Sequence, residues 1–320
     1  MTFALVFPGQ GSQSPGMLAS LAAEPQVRST FERASRVLRY DLWELTQSGP
    51  AERLNATEYT QPAMLAAGIA LWRVWQQRGG VDPIVVAGHS LGEFTALVCA
   101  GALELEAAID LVSFRGRVMQ EAVPSGSGAM AAILGLSDEQ VLEACRVAAA
   151  SGGVVEPVNF NGPGQVVIAG ERAAVERATE EAKRLAAKRA IMLPISVPAH
   201  SSLMRPAAQR LAKKLDGVSL RTPRITYLSA ADVQPHSNVD DIRQLLVRQL
   251  ASPVRWQETV QALLARNPRQ LIECGPGKVL TALNRRIAGA GAVVQCVAME
   301  DGASIDAALA STREPGDAHA

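Results

Sequence analysis

Short, continuous apolar runs alternate with helix-period segments over the first 120 residues. The runs TFALVF and PIVVAGHS have the length of buried strands, and the second enters a glycine turn. Helix-period sequence follows from about residue 91 to 101 and again from about 104 to 123. This alternation predicts a parallel sheet covered by helices on both faces.

The pattern changes over residues 126–197. AMAAILGL predicts a strand and SDEQVLEACRVAAAS a helix, and VVEPVNF and GQVVIAG flank the turn residues 161–164, which is a hairpin signal. RAAVERATEEAKRLAA predicts a second helix, and RAIMLPIS predicts a last strand. The order β-α-β-β-α-β is that of the ferredoxin-like unit, so we predict that 126–197 form an inserted subdomain.

The α/β pattern resumes after this insertion. RITYLSA and QLIECG predict strands, and the helical stretch IRQLLVRQLASPVRWQETVQALLAR is broken at Pro253. We therefore predict one discontinuous α/β subdomain from residues 1–125 and 198–310. The polar segment 311–320 predicts a flexible tail.

Composition excludes several classes of function. Lys+Arg and Asp+Glu both number 31, so no net charge attracts nucleic acid or an anionic membrane, and 4% aromatic residues provide few surfaces for base stacking. No apolar run approaches the roughly 18 residues of a membrane span. We expect neither nucleic acid nor a membrane as partner.

The four cysteines are far apart and include no C-x-x-C pair. This spacing favours neither a zinc site nor a disulfide framework, and no other metal motif is evident. We expect reduced, mostly buried thiols in a cytoplasmic protein. The residues are Cys99, Cys145, Cys274 and Cys296.

The segment GHSLGE at residues 88–93 contains the G-x-S-x-G pattern of a nucleophile elbow. In this motif a serine lies on a sharp turn between strand and helix with its hydroxyl exposed, which makes Ser90 a candidate acyl acceptor. The motif does not specify whether water or another molecule then removes the acyl group. A hydrolase and a transferase both remain open.

A serine hydroxyl needs an adjacent base, and the chain has four histidines. His89 is next to Ser90, where neighbouring side chains diverge, and His319 is one residue from the end. The composition of QPHSN places His236 in a solvated loop. His200 follows a predicted strand, a position that presents catalytic groups. We predict His200 as the base.

Two further features of this site stay open from residue pattern alone. Glu156 and Glu171 are among the acids between Ser90 and His200, yet none stands out as the group that orients the histidine. Arg115 lies on the apolar face of its predicted helix, where a guanidinium must be paired. It is either half of a structural ion pair or a fork for a substrate carboxylate.

Two glycine-containing segments complete the motifs. FPGQGSQ follows the first strand and permits a tight turn whose N–H groups point into a cavity, but it is not a dinucleotide fingerprint. ECGPGKVL lacks the first glycine of a phosphate loop and has Val279 after the lysine. We interpret it as a strand-turn-helix connection.

With these segments in order, the sequence resembles the malonyl-CoA:acyl carrier protein transacylases of bacterial fatty acid synthesis. The resemblance runs nearly end to end, excluding the tail. The motifs that carry it are FPGQGSQ, TQPA at 60–63, GHSLGE, FRGRVMQ, NFNGPGQVVIAG, VPAHSSLM, SPVRW and GPGKVL.

The resemblance implies an α/β-hydrolase-like large subdomain with a parallel sheet and an inserted ferredoxin-like small one. It implies that malonyl passes from malonyl-CoA to the phosphopantetheine thiol of holo acyl carrier protein by a ping-pong mechanism, with no permanently bound cofactor. The alternatives are an enzyme that loads a polyketide synthase carrier, a serine thioesterase or esterase, and a non-catalytic scaffold.

The resemblance also assigns residues to the site. Ser90 is the nucleophile, His200 its base and the main-chain carbonyl of Gln249 the group that orients His200. The remaining residues are the oxyanion-hole N–H groups of Gln10 and Leu91, the carboxylate-binding Arg115, and the substrate-contacting Asn159 and Gln61.

Overall fold

Ten β-strands and thirteen α-helices follow one another over residues 2–312, the part of the chain that this computed structural model describes. The strands are β1 Phe3–Phe7, β2 Val85–Gly88, β3 Gly128–Leu134, β4 Val155–Gly162, β5 Gln165–Glu171, β6 Arg189–Met192, β7 Thr226–Leu228, β8 Pro235–His236, β9 Gln270–Cys274 and β10 Gln295–Met299.

The helices are α1 Pro25–Leu38, α2 Leu42–Ser48, α3 Ala51–Asn55, α4 Thr57–Gln77, α5 Gly92–Cys99, α6 Leu105–Glu121, α7 Asp138–Ala150, α8 Arg172–Arg184, α9 Arg205–Leu215, α10 Val239–Arg248, α11 Trp256–Leu264, α12 Val279–Ala288 and α13 Gly302–Thr312. Single 3₁₀ turns occur at Ala19–Leu21, Ser202–Met204 and Gln249–Ala251. Within residues 2–312, no helix combines the length and apolar composition that a bilayer span requires.

The larger sheet has the strand order β10-β9-β1-β2-β7-β8. All its strands are parallel except β8, which pairs antiparallel to β7. Every residue of β1, β2 and β9 is buried, as expected for strands covered on both faces. The predicted α/β class with a parallel sheet is confirmed.

The smaller sheet is entirely antiparallel and has the strand order β4-β5-β3-β6. Its chain order β3-α7-β4-β5-α8-β6 is the predicted ferredoxin-like pattern. The helices α7 and α8 pack against one face of the sheet and bury Val141, Ala144, Val175 and Ala178 there. The subdomain boundaries 1–125, 126–197 and 198–310 stay a prediction.

Backbone hydrogen bonds join the two sheets. Val254, in the connection before α11, donates its N–H to the carbonyl of Val158 and accepts from the N–H of Phe160, both at 2.9 Å. Asn159 and Val254 thus form a parallel bridge. This pairing fixes β4 against the elements of the larger sheet.

The predicted turn at 161–164 was wrong by two residues, whereas the predicted break at Pro253 and the connection after β9 are confirmed. Asn161 belongs to β4 rather than to the hairpin turn, which is confined to residues 163–164. The stretch 242–266 divides into α10, a 3₁₀ turn and α11, separated at residues 252–255, because Pro253 cannot donate a helical hydrogen bond. ECGPGKVL does connect β9 to α12, as predicted.

The cysteine and tail predictions have different outcomes. All four cysteines are buried and unpaired, as expected. Residues 311 and 312 of the predicted flexible tail form the end of α13, so the tail prediction was wrong there. The rest of that prediction, residues 313–320, lies outside the described part of the chain.

Candidate active site

Ser90 occupies the sharp turn between β2 and α5, with a φ of 52° in the left-handed region. The glycines on either side permit this turn. A Cβ on Gly88 would lie 1.9 Å from the carbonyl carbon of Gly92, and a Cβ on Gly92 would lie 2.1 Å from the oxygen of Phe7. Only glycine fits at both positions, so the motif holds the serine at the carboxyl end of β2.

The loop after β1 lies directly against this elbow. A Cβ on Gly9 would approach the carbonyl oxygen of His89 to 2.7 Å, so the two backbones are in close contact. Gln10 follows Gly9, and Leu91 follows Ser90 as the N-terminal cap of α5. Gln10 and Leu91 line the same cavity as Ser90, which is compatible with the predicted oxyanion hole.

His200 lies in hydrogen-bond contact with the serine. Its Nε2 is 2.7 Å from Ser90 Oγ, and its Nδ1 is 2.8 Å from the main-chain carbonyl oxygen of Gln249. Since a carbonyl only accepts, Nδ1 carries the proton and Nε2 is free to accept from the serine. Burial and the nearby Arg115 guanidinium lower the pKa of His200 to about 3, so the ring is neutral at physiological pH.

The acids that the sequence left open lie elsewhere. Glu156 accepts a hydrogen bond from the N–H of Ser202 at 2.6 Å, and Glu171 precedes α8 as its N-terminal cap residue. The group on His200 Nδ1 is therefore a carbonyl and not a carboxylate.

Arg115 is 1% exposed and extends from α6 toward the serine. Its Nη1 donates to Gln61 Oε1 at 2.9 Å, and its Nη2 donates to Gln249 Oε1 at 2.9 Å and to Ser90 Oγ at 3.2 Å. All three acceptors are neutral, and Nε is buried without a partner. Burial lowers the pKa of this guanidinium to about 10, so it remains charged.

The Gln249 side chain makes contacts that the sequence did not suggest. In addition to the bond from Arg115 to Oε1, its Nε2 donates to the main-chain carbonyl of Ser90 at 2.9 Å. One residue therefore contacts the serine backbone, the histidine ring and the arginine. Gln61, the other acceptor for Arg115, is also buried and bonds through Nε2 to the sulfur of Met119 at 3.4 Å.

A cavity of about 600 Å³ opens over these groups, between the two sheets. Asn159 lines it, and its Oδ1 is buried without a hydrogen-bond partner. Such an atom is costly unless a ligand satisfies it, which is compatible with the predicted substrate contact. The small sheet also contributes Met130, Ala132, Asn161 and Val167 to the lining.

Of the two other histidines in the described part of the chain, neither is hydrogen-bonded to Ser90 Oγ. His89 Nε2 lies 2.8 Å from Asn161 Oδ1, which links the elbow to β4. His236 was predicted in a solvated loop, but it forms part of β8 and contacts the Asp232 carboxylate at 3.1 Å. His319 lies outside the described residues.

Glu93, the last residue of GHSLGE, is the most conspicuous residue that the sequence analysis missed. It is 0% exposed and accepts hydrogen bonds from Tyr227 and from the N–H of Ala230. The signal available in the sequence was a charged residue in an otherwise apolar first turn, FTALV following directly.

Comparison with known proteins agrees with this geometry. Residues 4–298 match the family model described as acyl transferase domain. The chain is 56% identical over 286 residues to the malonyl CoA-acyl carrier protein transacylase of Escherichia coli strain K12, covering 89% of this chain and 92% of that one.

Two solved structures are also similar. An acyl carrier protein S-malonyltransferase from Vibrio cholerae is 54% identical with a TM-score of 0.92, covering 96% of this chain and 100% of that one. A malonyl-transacylase in complex with a holo type II PKS acyl-carrier protein is 52% identical with a TM-score of 0.95, covering 98% of this chain and 100% of that one.

Proposed function

The chain belongs to the acyl transferase family, and from that premise we propose that it transfers malonyl from malonyl-CoA to acyl carrier protein. The acceptor is the phosphopantetheine thiol of the holo carrier, and the intermediate is a malonyl ester of Ser90. The product, malonyl carrier protein, supplies fatty acid chain elongation. The names of the relatives support this substrate pair.

In the first half-reaction, Ser90 Oγ attacks the thioester carbonyl carbon of malonyl-CoA. His200 Nε2 accepts the hydroxyl proton over the 2.7 Å hydrogen bond, and the Gln249 carbonyl holds the ring in the tautomer that leaves Nε2 free. The N–H groups of Gln10 and Leu91 stabilise the oxyanion, an interaction worth about 2.7–4 kcal/mol per donor in comparable sites.

Collapse of the tetrahedral intermediate breaks the carbon–sulfur bond. His200 returns its proton to the departing sulfur, so CoA leaves as a thiol and malonyl stays on Ser90. In the second half-reaction, the carrier thiol gives its proton to His200 and attacks the ester. The serine then leaves with that proton. CoA and phosphopantetheine are substrates in this sequence, and no step requires a resident cofactor.

The observation that carries the malonyl assignment is the position of Arg115. It is a buried cation whose hydrogen-bond acceptors are all neutral, and its Nη2 is 3.2 Å from the nucleophile. Malonyl bears its carboxylate on the carbon next to the acyl carbonyl, so an ester on Ser90 places that carboxylate beside the guanidinium. Arginine binds such a group through two parallel hydrogen bonds.

We also propose a cytoplasmic location. Four buried, unpaired thiols support a reducing compartment, and the proposed acceptor is itself a free thiol.

The fate of the acyl-enzyme tests this function against its alternatives. The protein is mixed with malonyl-CoA alone, and the intact mass is followed before and after a holo carrier is added. We expect a malonyl adduct that persists in water and disappears on addition of a fatty acid synthesis carrier, with malonyl appearing on that carrier. Rapid release of free malonate would indicate a thioesterase, and transfer only to a polyketide synthase carrier would indicate that class.

A further inference from the structure

Glu93 is a buried carboxyl that the proposed mechanism does not use. It lies in the first turn of α5, and its N–H donates to the carbonyl of Ser90 at 3.1 Å. Its carboxyl oxygens accept from the hydroxyl groups of Tyr227 and Ser229 and, at 2.9 Å, from the N–H of Ala230. These donors lie in β7 and the segment that follows it. The carboxyl is therefore held by contacts between α5 and the sheet and does not cap its own helix.

Glu93 and Arg115 share a neighbour in the Gln249 amide. Its Oε1 accepts from Arg115 Nη2 at 2.9 Å, and its Nε2 donates at 2.9 Å to the Ser90 carbonyl, the same oxygen that accepts the N–H of Glu93. The negative charge of Glu93 also raises the pKa of Arg115, against the larger effect of burial. Tyr227 from β7 is the titratable group bonded to the Glu93 carboxyl, and Ser229 and the Ala230 N–H are neutral donors. Arg115 from α6 is the charged group joined to this cluster through Gln249.

The charge balance of this buried site changes during the reaction. Without substrate, an ionised Glu93 offsets the buried positive charge of Arg115, whose own hydrogen-bond acceptors are neutral. With malonyl on Ser90, a second carboxylate pairs with Arg115. Two negative charges close to one buried cation disfavour each other. The malonyl carboxylate bonds the guanidinium directly, whereas Glu93 is fully buried and is linked to Arg115 through Gln249, so Glu93 is the one that becomes neutral.

We propose that Glu93 is the counter-charge of Arg115 in the free enzyme and takes up a proton when the malonyl carboxylate pairs with that arginine. The inference rests on the proposed function. In acylation, the enzyme with ionised Glu93 reacts with malonyl-CoA and takes one proton from solvent. The products are the malonyl-enzyme with neutral Glu93 and the free CoA thiol. The proton returns to solvent when malonyl leaves for the carrier. Glu93 touches no reacting atom and is a positioning residue.

Glu93 must ionise near neutral pH if its charge is to change when malonyl binds, and its surroundings place its pKa there. Burial raises its pKa to about 7, while the hydrogen bonds from Tyr227, Ala230, Gln249 and Ser229 act to lower it. Near neutral pH the free enzyme therefore contains both forms. An added negative charge beside Arg115 raises the pKa further and converts the ionised fraction to the neutral form.

The experiment measures protons and adduct in the same sample. Malonyl-CoA is added to the full-length protein in weakly buffered solution with a pH indicator, and the malonyl adduct is counted by intact mass. Because a group with a pKa of about 7 is half ionised at pH 7, we expect uptake of up to about half a proton per adduct there, falling toward zero at pH 5. Acetyl-CoA, which brings no carboxylate, gives no uptake per adduct.

Two variants separate this role from a structural one. Glu93→Gln abolishes the uptake while still forming adduct. Tyr227→Phe removes a hydrogen bond that favours the ionised form, so the uptake maximum moves to higher pH. This second variant keeps the test informative if Glu93→Gln does not fold.

Glu273 provides the matched control. It is also 0% exposed and has a pKa raised by burial, but its carboxylate accepts from the N–H groups of Leu280 and Thr281 at the start of α12. Glu273→Gln keeps the uptake of the unmodified protein. Adduct formation without uptake, or equal uptake in Glu93→Gln, would overturn the inference alone. No adduct at all would overturn the proposed function and the inference with it.

Discussion

The two sheets contribute different things to one cavity. The parallel sheet presents Ser90 and the loop containing Gln10 at the carboxyl ends of β2 and β1. The antiparallel sheet presents side chains by strict alternation: Ile133 and Ala131 of β3 face α7 and α8, while Met130 and Ala132 face the cavity. Parallel strands thus position reacting groups at their ends, and the antiparallel sheet supplies a wall.

We therefore expect substitutions around the parallel sheet to affect the chemical step and substitutions in the small sheet to affect substrate binding. The expected effects differ by orders of magnitude.

The largest effect is expected from His200→Ala, which removes the proposed proton acceptor for Ser90. General-base catalysis typically contributes about 10²–10⁴-fold, so we expect a loss of that order in the rate of adduct formation, measured by rapid quench with saturating malonyl-CoA. In the unmodified protein, the pKa of about 3 keeps His200 neutral in mild acid. The rate of adduct formation should therefore not fall with a midpoint near pH 6.5, the ordinary pKa of histidine. A fall with that midpoint would contradict the low pKa of the buried His200 ring.

Arg115→Ala is expected to give the next largest effect, and one that depends on the substrate. Removing one partner of a buried charge pair costs about 2–5 kcal/mol, so kcat/KM for malonyl-CoA should fall on the order of 10²-fold or more. Any reaction with acetyl-CoA, which has no carboxylate for Arg115, should change far less. Arg117 is exposed on the same helix and contacts the Phe114 ring, so Arg117→Ala is the matched control. Equal losses on both substrates would assign Arg115 a structural role.

Asn161→Ala in the small sheet is expected to have the smallest effect. It leaves His89 Nε2 without its partner, which costs about 1–3 kcal/mol, and loosens β4 against the elbow. We expect a several-fold rise in KM for malonyl-CoA and a lower melting temperature, with kcat nearly unchanged. Asn284→Ala removes another buried amide, bonded to Trp256 Nε1, and should lower stability without changing KM. A kcat loss as large as that of His200→Ala would contradict the division between the sheets.

The sequence could indicate a candidate site residue where the surrounding residues show why it is unusual. Ser90 is marked by the glycines that its turn requires, and Arg115 by a charge on an apolar helix face. Gln249 could be placed only by resemblance, because every residue has a carbonyl and this one meets His200 from 49 positions away. Its side-chain bonds to Arg115 and to the Ser90 backbone span 134 and 159 positions, so no local pattern indicates them.

In the fold, too, local pattern predicted the elements but not the pairing between segments that are distant in the chain. The alternation of apolar runs and helical segments predicted both sheets, because strands buried on two faces and strands buried on one face differ in pattern. It could not predict that Asn161 lies in β4 or that Val254 pairs with that strand, since backbone pairing across the chain sets both.

The proposed reaction passes through a malonyl ester on Ser90, so detection of that ester is its sharpest test. The measurement is peptide mapping after incubation with malonyl-CoA, with Ser90→Ala as the comparison and circular dichroism to confirm that the variant is folded. We predict a malonyl group on the peptide containing GHSLGE in the unmodified protein and no covalent adduct in Ser90→Ala. A malonyl adduct that persists in folded Ser90→Ala, or one that maps to another residue, would contradict acyl transfer through Ser90.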